Sequence, residues 1–532
     1  MVLALSANQD IGKTRAGAFD VAIIGGGVAG NYTAWRLIKD QPELNIVVIE
    51  QSARLGGRLY SEHVSGIESV QVEHGGMRFS RNHKLLGHLV DYLGLPTRPF
   101  KSVLANNNPI FIRGHHTSLD KIKAGDKVPY RIPAELGTNN PGEIVPASIL
   151  LFLSKQGMRP SQSRGIIDCL EEASFNGKSF KELSFKELLE NVCSPEVLAY
   201  YNDVHGYWVD THADVSAREL LLGFLPFVSD SDTITISTGM QSLPSKLAEL
   251  ASQHGCKYRT SSRLRSIRRS SEQFELAVTS DHSNETIVAK RVVLALPPNR
   301  IRKIEGLAEL APRLKDRLNS VVEILAVKTH FVYNSCWWRS SQITEGEART
   351  DLPMRQCLYM GSDQSINNPT NELTSSTDSA EPSVLLASYT DSDASDYWRN
   401  TADKSSTCAG VHGPTDPSLQ CSESVIRELT SQLETLHSQS IKLPYWASMC
   451  DWKEQPSGVA THSWRSCYDS AKIIPLIRQP NPSLPLYICG EAFSQEQGWV
   501  NGALRSAEAM LRSCFNLQAP SWANSSIPID IA

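Results

Sequence analysis

The sequence predicts an α/β fold whose parallel sheet is assembled from separated stretches of chain, joined to a second domain with a mixed sheet and to a helical insertion. Three observations carry this. Residues 20–50, DVAIIGGGVAGNYTAWRLIKDQPELNIVVIE, read as strand, glycine turn, helix and returning strand. Residues 486–511 repeat a strand-to-helix transition far along the chain, with Gly490 and Glu491 at its turn. Between them, residues 146–234 carry apolar side chains at helical rather than alternating spacing.

In the first stretch, residues 20–24 are a short apolar run suited to a buried parallel strand, and Gly25, Gly27 and Gly30 follow at the G-x-G-x-x-G spacing. Gly25 permits the tight turn, Gly27 lets backbone approach a pyrophosphate, and Gly30 lets helix and strand pack closely. Val28 and Ala29 open a helix that places Ala34, Leu37 and Ile38 on one face. Its N-terminus offers unpaired N–H groups and the positive end of the helix dipole to phosphate. Residues 45–49 return as a second strand ending in Glu50, where an acid accepts hydrogen bonds from an adenosine ribose and repels a 2′-phosphate. Glycine-rich turns match this spacing by chance, so the weight rests on strand, helix, strand and acid occurring together. The unit is Rossmann-like and binds a dinucleotide, with FAD and NAD undistinguished at this point.

Composition bounds the rest. A chain of 532 residues, 41% of them hydrophobic, buries a large core and divides into about three domains. A net charge of −5 and a pI near 6.3 give no general basic field, so neither nucleic acid nor an anionic membrane is an expected partner. The 11 cysteines are scattered and form no C-x-x-C pair, which argues against a disulfide framework or a zinc site. No apolar run reaches membrane-spanning length, and the run at residues 2–5 is too short for the core of a signal peptide. A cytoplasmic location is the resulting expectation.

After Glu50, the segment ARLGGRLYS sets Gly56 and Gly57 between Arg54 and Arg58, a pattern that suits a lid over a pyrophosphate as well as a solvated turn. The segment VEHGGMRFS then places Gly75 and Gly76 before Met77 and Arg78, so that backbone can pass close to a flat ligand while the arginine projects beyond it. Together these motifs resemble the flavin amine oxidase family, and its L-amino-acid oxidase branch best. The resemblance implies FAD rather than NAD, with Gly57 and Arg58 in the family's GGR element and Gly75, Gly76 and Met77 beside the isoalloxazine ring. It assigns Arg78 to the substrate carboxylate. A guanidinium holds a carboxylate through two parallel hydrogen bonds, although a structural ion pair would use the same residue type.

The same resemblance covers further points of the chain. In NSVVEILAVKTHFVYNSCWWR, Lys328 keeps the family's distance to Trp337 and Trp338 and is implied to hold a water at flavin N5; the rival is a lysine on an exposed strand edge. In VLLASYTDSDASDYW, Tyr389 is implied to make the second hydrogen bond to the carboxylate, against a packed strand tyrosine. Trp452 leads the family's cavity-lining tryptophan segment, which departs from the usual pattern at Ser457 and leaves His462 and Trp464 as weaker pocket candidates. In LYICGEAFSQEQGWVNGALRSAEAML, Gly490 and Glu491 are implied at the ribityl chain, and Gly498, Trp499 and Val500 beside the flavin pyrimidine. There a helix N-terminus would stabilise an anionic reduced ring. No cysteine lies between Glu491 and Trp499, so a covalent flavin link is not expected and FAD is expected to be non-covalent.

Elsewhere the residues speak less. His205, Tyr207, Trp208 and Asp210 fall in the helical stretch, where such residues belong to core or surface more often than to a site. The segment STGMQSLPSKLAEL, from Ser237, reads as a glycine turn and a helix. Residues 258–267, 274–278 and 286–288 suggest an antiparallel ribbon, with adenine near Leu264 by resemblance, and residues 291–296, closed by Pro297 and Pro298, suggest a separate buried strand. Residues 361–383 and 401–423 are rich in Ser, Thr, Asp and Asn and read as surface loops. The resulting division is a tail at 1–17, an FAD-binding domain at 18–80, 235–302 and 482–516, and a substrate-binding domain at 81–145 and 303–481. The helical insertion takes 146–234, and 517–532 form a C-terminal tail.

The resemblance implies an FAD-dependent L-amino-acid oxidase in which Arg78 and Tyr389 hold the α-carboxylate, the Gly498 carbonyl receives the amine, and hydride passes from Cα to flavin N5. Dioxygen is the second substrate, and 2-oxo acid, ammonia and hydrogen peroxide are the products. An amino-acid 2-monooxygenase, which decarboxylates to an amide, and a mono- or polyamine oxidase stay open as alternatives. Family members often form homodimers.

Overall fold

A computed structural model of the chain describes residues 18–523 except 102–103, 105–106, 162–164, 225–232, 282, 363–381 and 404–405. Its organising element is strand β1, Phe19–Ile24, followed by helix α1, Val28–Asp40, and strand β2, Ile46–Ile49. The β1 and β2 strands pair in parallel, and their β-branched and aliphatic side chains are buried on both faces, as a parallel sheet covered on two sides requires.

The seven-stranded sheet around them runs Lys257–Arg259, β2, β1, Asn284–Leu294, Gln273–Ser280, Ser262–Ser270, with Leu486–Ile488 also pairing to Asn284–Leu294. Residues 286–288 and 291–296, expected as two strands, are parts of one 11-residue strand up to Leu294. Its first half pairs antiparallel with Gln273–Ser280, while its second half enters the parallel sheet between β1 and Leu486–Ile488. Lys290 at the junction bonds to Asp20 in solvent, so an exposed polar side chain that reads as a break in the sequence is not one in the backbone.

The second sheet is mixed, with the order Trp446–Asp451, Ala326–Tyr333, Ser383–Asp391, Gln356–Ser362, Gly346–Thr350, Pro109–Ile112, His115–Ser118. All its pairs are antiparallel except Gly346–Thr350 with Pro109–Ile112. Five α-helical segments between Ile144 and Phe224 build an apolar cluster around Leu153, Leu170, Leu188 and Tyr200, joined by Phe180 and by Ile110 and Ile112 of the second sheet.

One surface reading changes. Within residues 401–423, Cys408, Leu419 and Cys421 are buried, because the segment folds back onto the second sheet. Residues 361–383 lie almost wholly outside the described residues. The first part of the stretch read as a C-terminal tail packs on α1: the Gln518 carbonyl accepts from Arg36 at 2.9 Å, and Trp522 lies among Tyr32, Trp35 and Tyr92. Residues 1–17 and 524–532 lie outside the described residues. Among the described residues no helix is long and apolar enough to cross a membrane.

Candidate active site

A cavity of ≈ 450 Å³ runs from the end of β1 to the second sheet. Its first end is made of backbone. A Cβ on Gly25 would stand 2.5 Å from the Ala295 carbonyl, and one on Gly30 would stand 1.9 Å from that of Gly25. Turn and helix therefore meet at a distance only glycine allows. A Cβ on Gly27 would meet only Gly57, at 3.9 Å, so this glycine faces the open cradle. Glu50 sits at the mouth of the turn. One of its oxygens accepts from the Gly26 N–H at 2.7 Å and the other from Ser52 N–H and Oγ.

Of the two arginines flanking the Gly56–Gly57 turn, Arg54 folds back to donate to the carbonyls of Leu55, Gly57 and Leu59 and lies 3.9 Å from the Tyr60 ring centroid. It staples the loop. Arg58 crosses to the other end of the chain and donates to Glu491 at 2.7 Å. Glu491 is buried and also accepts from Thr461 Oγ1, the His462 N–H, the Gly498 N–H and, across 3.0 Å, His462 Nδ1. Burial opposes its charge, but Arg58 and His462 hold the carboxyl well below the usual range. This acid, expected at a ribityl chain, ties the Gly498 loop to the Arg58 loop. Beyond it Trp499 packs edge-on against His83, and the last long helix, Val500–Phe515, points its N-terminus into the cavity wall.

At the far end the second sheet supplies side chains. Lys328 is not an edge residue: its strand is flanked by Ser383–Asp391 and Trp446–Asp451, with Tyr389 and Cys450 as its register partners. Its Nζ donates to the Gly75 carbonyl at 2.5 Å and lies 3.5 Å from Met77 Sδ and 5.0 Å from the Tyr389 ring centroid. Burial, and the Arg78 charge next to it, bring its pKa down to about 8. Gly75 has no room for a side chain, since a Cβ would stand 1.9 Å from the Arg58 carbonyl and 3.1 Å from the Trp452 ring. Trp452 is fixed by donation to the His74 carbonyl at 2.9 Å.

Arg78 lines the cavity with one guanidinium nitrogen, Nη1, buried and without a hydrogen-bond partner among the described residues. Burial works against its charge, but Tyr207 and Glu347 outweigh that and keep it cationic. Tyr207 reaches the cavity beside it and packs edge-on against Tyr389, 5.7 Å between centroids. The Tyr389 phenol is pushed well up by burial and by Tyr207, so it is a neutral donor.

The cavity thus gathers Gly25, Gly27, Val28, Ala29, Glu50, Gly57, Arg58, Gly75, Gly76, Met77, Arg78, Lys328, Tyr389, Trp452, Gly490, Glu491, Gly498, Trp499 and Val500. Two residues fall outside it. Gly30 acts through packing, as its spacing implied. Leu264, expected near adenine, sits in the core with Ile267 and Phe274, and the cavity beside Glu50 is lined instead by Gln51, Ser52 and Leu296. Sequence reading undervalued Tyr207 and missed Asp391, a buried acid that accepts from Trp208 N–H at 2.7 Å and also lines the cavity. Its signal was present: Asp391 stands two residues beyond Tyr389 on one strand and shares its face.

Glycine positions that leave a backbone cradle, an acid at the mouth of the turn and an anchored helix N-terminus fit a flavin dinucleotide. A family model for flavin containing amine oxidoreductases matches residues 28–510, and the chain belongs to that family. It is an FAD-dependent amine or amino-acid oxidase. It is 24% identical to aplysianin-A of Aplysia kurodai over 93% of this chain and 90% of that one. It is 22% identical to a flavin-dependent L-tryptophan oxidase of Lentzea aerocolonigenes over 93% of this chain and 97% of that one. A solved putrescine oxidase variant shares the fold, with a TM-score of 0.65 at 18% identity, over 94% of this chain and 99% of that one.

Proposed function

We propose that the chain oxidises L-amino acids. FAD, when bound, accepts the two electrons and the hydrogen removed from the substrate and passes them to dioxygen, giving hydrogen peroxide. Arg78 and Tyr389, with Tyr207 beside them, take the α-carboxylate; the Gly498 carbonyl takes the amine; and Trp452 closes one wall. Two fixed ends leave the substrate's Cα one orientation, which is how positioning accelerates such a step. Lys328 holds a water at the reacting face, and its ammonium favours negative charge developing there. The imino acid formed is hydrolysed by water to a 2-oxo acid and ammonia.

The observation that carries this reading is the unpartnered Arg78 Nη1 in the cavity wall with two phenols at its side. A carboxylate completes that arrangement, whereas a simple amine leaves it empty. One observation favours an amine substrate instead: Asp210 and Asp391 line the same cavity and suit a cationic group. A screen of the twenty amino acids and their parent amines with peroxide detection separates the two. Arg78→Ala is expected to retain bound FAD while kcat/KM for the best amino acid falls about 10²–10³-fold, the scale of removing one partner of a buried charged pair. Turnover of an amine but not of the amino acid, or an unchanged kcat/KM in Arg78→Ala, overturns the reading. An amide in place of the 2-oxo acid among the products identifies a 2-monooxygenase.

A further inference from the structure

We infer that Gln356 is a positioning residue of the substrate site: it holds the loop that carries Tyr207 and the strand that carries Tyr389 at once, and so fixes both phenols beside Arg78. The inference rests on the reading that Arg78 takes a carboxylate, and its test tells failure of one from failure of the other.

Tyr207 comes from an irregular stretch between the helices Pro195–Val204 and Val209–His212. Such a stretch has no hydrogen-bond ladder of its own, so its peptide groups take partners from elsewhere in the fold. The second sheet supplies them. The Gly206 carbonyl accepts from Gln356 Nε2 at 3.1 Å. The His205 carbonyl accepts from Arg355 Nη2 at 2.9 Å, and the same nitrogen donates to the Asn202 carbonyl. On the other side of Tyr207, the Trp208 and Val209 N–H groups donate to Asp391 Oδ1 at 2.7 and 3.3 Å. Tyr207 is therefore held on both flanks by side chains of the second sheet.

Gln356 also reaches the other phenol-bearing segment. Its Nε2 donates to the Tyr389 carbonyl at 3.2 Å, so one buried amide nitrogen bridges the Tyr207 loop and the Tyr389 strand. A side-chain amide nitrogen carries two hydrogens, and both are used here. The amide oxygen accepts from Arg349 Nη1 at 2.7 Å, and the two residues face each other as a register pair on antiparallel strands. That bond turns the amide nitrogen toward the two carbonyls. Through Nη2, Arg349 donates to Glu347, one of the two groups that keep Arg78 cationic. Direct contacts thus run from Glu347 through Arg349 and Gln356 to the backbone on which both phenols stand.

Gly206 shows how closely these parts fit. A Cβ there would stand 1.5 Å from Arg349 Nη1 and 2.5 Å from Gln356 Oε1. Both atoms lie at the ends of flexible side chains, so an alanine would push the arginine off Gln356 rather than move the loop. The consequence falls on recognition. A hydrogen bond weakens steeply as its angle departs from linear, so phenols that shift lose hold of a carboxylate, while a simple amine has no such contact to lose.

The test titrates the holoenzyme with benzoate, a carboxylate without an oxidisable amine, and reads the change in flavin absorbance, so that no turnover is needed. In Gln356→Met, flavin content is expected to match the parent's and the benzoate Kd to rise about tenfold, the scale of one hydrogen bond to a charged group. KM for the best amino acid should rise by the same factor, with kcat close to the parent's. Gly206→Ala and Arg349→Lys leave Gln356 in place but unhold its oxygen, and each should raise Kd by less. On a Tyr207→Phe background, Gln356→Met should cost less than it does alone, which a merely structural role would not produce. A benzoate Kd unchanged by Arg78→Ala overturns the carboxylate reading and this inference with it. A Kd that Arg78→Ala raises but Gln356→Met does not overturns this inference alone. Where Gln356→Met fails to fold, parent-like Kd values in both Gly206→Ala and Arg349→Lys do the same.

Discussion

The two ends of the cavity are built in different ways. At the nucleotide end the ligand-facing surface is backbone brought close by glycines, and the acids there are saturated: Glu491 has donors from Arg58, Thr461, His462 and Gly498. At the end formed by the second sheet the surface is side chains: Arg78 Nη1 is unpartnered among the described residues, and Asp210 opposes the charge of a buried Asp391. The first end is a finished mould for one cofactor. The second keeps a buried guanidinium nitrogen that the described residues do not satisfy.

The largest effect that would break this contrast is expected at Gly30. Its Cβ would lie 1.9 Å from the Gly25 carbonyl, closer than any non-bonded contact, and backbone on both sides cannot retreat without opening the phosphate turn. Gly30→Val is expected to lose FAD entirely, read as the ratio of flavin to protein absorbance. Material purified with the parent's yellow colour would show that the mould tolerates movement and that the two ends do not differ in rigidity.

This contrast also explains what could be read from the sequence. Gly25, Gly27, Gly30 and Glu50 act within 26 residues, so their spacing alone encodes the turn, the helix and the acid. Arg78, Tyr207, Lys328 and Tyr389 converge from segments separated by more than 300 residues, and no local pattern reports which strands pair. Arg78, Lys328 and Tyr389 were singled out by their match to a family motif, and the structure brings the three to one cavity. Tyr207 lies in the insertion, where no motif helped. Leu264, put near adenine by resemblance, packs its side chain in the core, and an apolar strand residue reads the same in sequence whether it faces a cavity or a core.

A smaller effect is expected at Lys328, which belongs to the substrate end but leans on the nucleotide side through Gly75. Lys328→Met preserves length and removes the charge. It should keep FAD, and the rate with dioxygen should fall about tenfold or more, within the range of a lost electrostatic or acid–base group. The parent's rate should decline as pH rises through about 8, where the buried ammonium loses its proton, while the variant's profile is flat there. Loss of bound FAD in the variant would place Lys328 with the mould instead.

The smallest effect sharpens the comparison most, because it sets two buried acids of one cavity against each other. Asp391 is pushed up to about 8 by burial and by Asp210, above the usual 3.8 of an unfolded aspartate. The folded protein therefore binds more protons than the unfolded chain between about pH 4 and pH 8, and stability falls as pH rises through that window, by at most about 1.4 kcal/mol per pH unit. Asp391→Asn keeps an oxygen to accept from the Trp208 and Val209 N–H groups and removes the charge. Its Tm at pH 8 is expected to equal or exceed the parent's, with a shallower fall between pH 5 and pH 8. Glu491 has the opposite sign. Its pKa lies below the usual 4.5, so its contribution is present above that pH and disappears as pH drops, and Glu491→Gln should lower Tm at neutral pH by removing the partner of Arg58. Thermal melts of both variants from pH 5 to pH 8 give the comparison directly. Equal destabilisation by the two substitutions would mean that the substrate end is as fully satisfied as the cradle, and that no polar capacity is held in reserve for a substrate.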